Sequence, residues 1–79
     1  MRILDEANDR SMKRVSLYLT PEEARSLLLQ LEKLLATPKI HHIHSTDEGL
    51  QREITVAVYT RLNLQEFDER SRKLIERDL

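Results

Sequence analysis

Residues 20–38 read TPEEARSLLLQLEKLLATP, and the pattern of this stretch decides the fold. Thr20 is an N-cap residue, and Glu23 three positions on completes a capping box, each side chain satisfying a backbone N–H of the other residue. Pro21 takes the first helical position, where a missing N–H costs nothing. At about 100° per residue, Ala24, Leu27, Leu28, Leu31, Leu34 and Leu35 fall on one wide stripe. Pro38 stops the run, because it pushes Thr37 out of helical geometry. The stretch predicts an amphipathic helix whose leucines need a surface to cover them. Leu29 lies about 140° from Ala24, off the stripe, and is a candidate interface residue.

Upstream, Lys13 to Leu19 alternates: Val15, Leu17 and Leu19 against Arg14, Ser16 and Tyr18. A period of two predicts a half-buried strand with its aliphatic set facing the helix. Earlier still, Ile3 and Leu4 precede a turn-rich stretch with Asn8-Asp9 at its centre. Residues 1–12 are expected either as a short strand pairing in a hairpin with the next one, or as a flexible tail.

Downstream, Lys39 to Ser45 (KIHHIHS) is short and β-branched, with Ile43 expected toward the core and Ile40 at the strand entrance. In the turn TDEGLQ, Gly49 is the natural residue for a positive φ. Arg52 to Thr60 is the strongest strand signal, with Ile54, Val56 and Val58 on one face and Thr55, Ala57 and Tyr59 on the other. Asn63 and Glu66 form a second capping-box pattern, opening a helix with Leu64, Phe67, Ser71, Leu74 and Ile75 as its apolar stripe. The element order is (β)βαββα. It predicts an α+β fold: a mostly antiparallel three- or four-stranded sheet, strand 52–60 beside strand 13–19, with two helices on one face. At 79 residues the chain is expected to be a single domain, its core in residues 13–79.

Composition narrows the function classes. The chain is 34% charged with a formal net charge of −1, so it lacks the cationic excess of a general polyanion binder. Arg70, Arg72, Lys73 and Arg77 are interleaved with acids, which makes nucleic-acid binding a minor alternative. Cysteine is absent, excluding disulfides and thiolate chemistry. No apolar run reaches the roughly 18 residues of a membrane span, and the acids in MRILDEANDR do not suit a secretion signal. A cytoplasmic protein is expected. Neither a nucleophile elbow nor a Gly-rich phosphate loop occurs, and one glycine in the whole chain is poor material for a walled pocket, so an enzyme is not expected.

The one cluster with ligand chemistry is HHIH. On a strand His42 and His44 share a face two residues apart, a spacing found in zinc sites, and they are the candidate metal ligands. No HExxH motif accompanies them, so zinc is an alternative to a cofactor-free chain. By parity Ser16, Tyr18, Thr55 and Tyr59 join the histidines on the sheet face without helices. Such a face suits self-association or a partner protein, since tyrosine supplies contact area at low entropic cost. A homodimer or other homo-oligomer, or a complex with a partner protein, is the leading expectation for so small a chain.

The run from Leu17 to His44, LYLTPEEARSLLLQLEKLLATPKIHHIH, resembles small uncharacterised bacterial α+β proteins with a strand, a PEE-type helix start and a His-rich strand in that order. It is also similar to an immunity-protein family of bacterial polymorphic toxin systems. That resemblance implies an α+β fold and a toxin-binding role. After His44 the segment TDEGLQREITVAVYT departs from that family's aromatic, glycine-rich continuation, and no site residue is carried over.

Overall fold

The capping box at the start of helix α1 (Pro21–Ala36) is complete: the Glu23 N–H donates to Thr20 Oγ1 (3.1 Å) and the Thr20 N–H donates to Glu23 Oε1 (2.9 Å). Glu22 and Glu23 in the first turn and Lys33 in the last complement the helix dipole. At the other end Thr37 leaves helical geometry (φ −131°, ψ 83°), while its N–H still reaches Lys33 O at 3.0 Å. These features belong to a computed structural model that describes residues 1–79 except for the side chain of Pro38. The chain is α+β, with two helices and four short strands in two antiparallel pairs among the described residues. It divides into two units, one of Tyr18–Val58 and one of Met1–Leu17 with Tyr59–Leu79.

In the first of these, α1 is followed by a 3-10 turn (Pro38–Ile40) and then by His41 in the left-handed region at φ 72°. Strands β3 (His42–Thr46) and β4 (Glu53–Ala57) then pair with Ile43 opposite Val56 and His44 opposite Thr55. Alternation does the sorting. Ile43 is buried, Ser45, Ile54 and Val56 are half-buried, and the intervening residues are exposed. α1 packs on β3, with Leu34 as its one buried residue. Burying a side chain such as Leu34 or Ile43 stabilises by about 1.5–3 kcal/mol.

The β3–β4 loop, residues 47–52, is organised by Asp47. Its Oδ1 accepts from the Gln51 N–H (2.8 Å) and the Arg52 N–H (3.0 Å), while its own N–H donates to Arg52 O (3.1 Å). The donated bond from the Arg52 N–H, then that from Gln51, holds the Asp47 carboxyl below its ordinary value of 3.8. Positive φ falls on Leu50 (55°), not on Gly49. This corrects the expectation for the turn. A left-handed leucine costs about 1–2 kcal/mol over glycine, a strain the Asp47 hydrogen bonds offset.

The other unit opens with β1 (Ile3–Asp5) and β2 (Arg10–Met12), paired Ile3 to Met12 and Asp5 to Arg10. The expected hairpin at the chain start is present, and its partner strand is residues 10–12 and not 13–19. Asp5 closes the four-residue loop. Its carboxylate accepts from the Asn8 side chain (2.8 Å) and from the Ala7 (3.1 Å) and Asn8 (3.3 Å) N–H groups, and these bonds, led by the Asn8 side chain, lower its pKa. Asp9 supplies the left-handed residue at φ 52°.

Helix α2 (Glu69–Arg77) starts later than its sequence suggests. Leu64–Glu66 forms a separate 3-10 turn, Phe67 is extended (ψ 152°), and Asp68 is the N-cap, its Oδ1 accepting from the Ser71 N–H at 2.7 Å. That bond holds the Asp68 carboxyl below its ordinary range. Asn63 does not cap α2, because its Oδ1 accepts from the Thr60 N–H (2.7 Å) and so closes a turn of its own. Phe67 and Leu74 are the buried residues of this unit. At the end of α2, Arg2 Nε donates to Leu74 O and Ile75 O (both 3.2 Å), a cation at the negative end of the helix dipole, and Leu74 O also accepts from the Asp78 N–H at 2.9 Å. Arg70 Nε meets Asp9 Oδ1 at 2.6 Å, and Arg70 Nη2 donates to Leu79 O at 2.9 Å.

Residues 13–20 carry no regular structure, and Val15 and Leu17 are about half exposed. The expected strand 13–19 is therefore overturned, and with it the single three- or four-stranded sheet. The reason is the ladder. β2 ends at Met12, opposite Ile3 at the start of β1, and among the described residues no strand pairs with residues 13–19. Alternating side chains cannot make a strand without a backbone partner. Among the described residues no helix is long and apolar enough to cross a membrane.

Candidate functional site on the outer face of the second hairpin

Because Ile43 is drawn inward, parity sends His42 and His44 to the outer face of β3, where cross-strand register sets them against Ala57 and Thr55. All four are exposed. His44 Nδ1 lies 2.9 Å from Thr55 Oγ1 and 3.1 Å from Glu53 Oε1. A carboxylate only accepts, so the Glu53 contact requires a proton on His44 Nδ1 and leaves Nε2 as the ring's acceptor when the imidazole is neutral. Glu53 thus selects the tautomer. A protonated His44 makes the same contact an ion pair between two half-exposed groups, 50% and 53% exposed.

Three imidazoles run along this edge. The His42 and His44 rings stand edge to face with centroids 4.9 Å apart, and His41 and His42 do the same at 5.4 Å. His41 Nδ1 and His42 Nδ1 are 3.1 Å apart, so one of the two rings donates and the other accepts. The left-handed backbone at His41 makes this possible, by turning the chain out of the 3-10 turn and into β3.

The residues expected to share one surface are divided between the two units. Thr55, His42 and His44 meet on this hairpin. Tyr18, 92% exposed, belongs with Tyr18–Val58, whereas Ser16 and Tyr59 belong to the other unit, and neither Ser16 nor Tyr18 is on a strand. Leu29 is exposed on α1, away from the buried side of that helix. Glu53 was missed, although its parity with Thr55 marks it in the sequence. As metal ligands His42 and His44 are two imidazoles on one face, and among the described residues no group of three or more His, Asp or Glu side chains could hold a metal ion. What the face offers is a set of oriented hydrogen-bonding groups on a short antiparallel ladder. These groups stand without a precedent to read them by: no family model, no curated protein and no solved structure matches the chain.

Proposed function

We propose that this chain is a small protein-interaction module, and that the outer face of the β3–β4 hairpin receives a partner protein. The observation that carries the reading is the asymmetry of that hairpin. Ile43, Ile54 and Val56 are spent on the side packed by α1, while His42, His44, Thr55 and Ala57 stand exposed on the other. His44, oriented by Glu53 and Thr55, supplies a directional acceptor, and Ala57 leaves room for an incoming side chain. The reading is of binding: the Glu53 contact keeps a proton on His44 Nδ1, the ring atom that faces Thr55 Oγ1, so that nitrogen does not serve the hydroxyl as a base.

The test is a double variant, His42→Glu with Thr55→Glu, on exposed positions that leave the packed side untouched. Tagged wild type, the double variant and a control changed elsewhere (Lys33→Glu) are each used to isolate bound proteins. A discrete protein retained by wild type and control, lost by the double variant, and rebinding as purified material supports the reading. Equal retention by all three chains, or none by any, overturns it.

A further inference from the structure

α1 covers only part of its apolar stripe. Leu27 and Leu31 are half-buried and Leu34 is buried, but Ala24 is exposed and Leu28 and Leu35 are 55% and 69% exposed. Ala24, Leu28, Leu31 and Leu35 are spaced by four, three and four residues, the spacing of the two core positions of a heptad. Leu27 and Leu34 flank this row on the side of the hairpin core. Arg25 and Glu32 flank it on the other side; both are exposed, and neither makes an ion pair among the described residues.

We propose that this row is a self-association seam that takes α1 of a second copy in antiparallel orientation. Charge decides the occupant and the direction. In a parallel pair each flanking charge would face the partner's Leu27 and Leu34 edge, which is already committed to that copy's own hairpin. Reversing one helix sets Arg25 beside Glu32 of the partner subunit, and the twofold axis repeats the pair. The same reversal lays Ala24 against the partner's Leu35, small on large, and Leu28 against the partner's Leu31. Both hairpins then fall on one side of the helix pair. Four seam positions over three turns make a small contact, in the weak class below roughly 1,200 Å² of total buried area. This surface is separate from the outer face of β3–β4, so either assignment stands or falls without the other.

The chain has no cysteine, which makes cross-linking clean. Ala24→Cys and Leu35→Cys chains are oxidised separately and as a mixture. The antiparallel seam gives a disulfide-linked dimer of unlike chains in the mixture and little product from either chain alone. Efficient self-cross-linking of each variant means a parallel pair and overturns the proposal, as does the absence of any product. In parallel, solution mass is followed by light scattering up to about 1 mM, the weak limit of useful association. Arg25→Glu is expected to weaken the dimer roughly tenfold, and adding Glu32→Arg to restore it. A wild-type monomer throughout, or a double variant no better than the single, overturns the charge argument even where far-ultraviolet circular dichroism shows the helix intact.

Discussion

The β1–β2 and β3–β4 hairpins are both turned by an aspartate whose Oδ1 accepts two backbone N–H groups, from Ala7 and Asn8 in one case and from Gln51 and Arg52 in the other. Both loops place one residue that is not glycine in the left-handed region, Asp9 and Leu50. Their supports differ. β3–β4 lies under a helix and buries Ile43, whereas the β1–β2 end of the chain is tied by guanidinium groups: Arg2 on the last carbonyls of α2 and Arg70 on Asp9. Turn chemistry sets where a hairpin forms. What lies against it sets how the hairpin responds to mutation, salt and acid.

That contrast is sharpest at Ile43. Ile43→Ala removes most of a buried side chain, and a loss of about 2–4 kcal/mol is expected, read from the urea midpoint, with the amides of residues 42–57 losing exchange protection. Arg70→Met keeps the aliphatic stem and removes the ion pair. A loss of about 1 kcal/mol is expected, shrinking as salt is raised, because Asp9 is largely exposed. If Arg70→Met costs as much as Ile43→Ala, or ignores salt, the distinction between the two supports fails.

Acid should blur the contrast, since both turns depend on a carboxylate. Asp5, Asp47 and Asp68 all have folded pKa values below 3.8, so protons bind the unfolded chain more readily. Their contribution is fully present above that value and is lost as pH falls through the folded values. The urea midpoint should therefore drop as the pH is taken below about 4, by less than either substitution costs, none of these groups being buried. Asp47→Asn keeps the Oδ1 acceptor and should flatten part of this slope. An unchanged slope would remove Asp47 from the account.

Features written in adjacent residues were legible in the sequence. The bounds of α1 follow from Thr20, Pro21, Glu23 and Pro38, and the inward Ile43 with outward His42 and His44 follows from parity. The misreadings share a cause: a local signal needed a partner it did not have. Val15, Leu17 and Leu19 alternate as a strand should, yet the segment finds no ladder. Asn63 opens a capping pattern as good as that of Asp68, and the competition was decided by the Thr60 N–H that Asn63 accepts. Gly49 was the cheaper left-handed residue, but the Asp47 hydrogen bonds put the bend one position later. No Cβ would be obstructed at Gly49, where the nearest atom, Gln51 Cγ, is 3.8 Å away. At the candidate site, the contact of His44 with Thr55 and Glu53 depends on a six-residue loop setting the register, which no single strand reveals.

Leu34, Ile43, Phe67 and Leu74 are the buried hydrophobic residues among those described, two in each unit, and none has less than 2% of its surface exposed. For inheritance this means that replacements at most other apolar positions disturb little packing and face weak selection from folding alone. Sequences of this fold can drift far apart while keeping their capping and turn residues and those four. A relative would then be recognised by Thr20, Asp47 and Asp68, and by those four buried residues, sooner than by its exposed leucines.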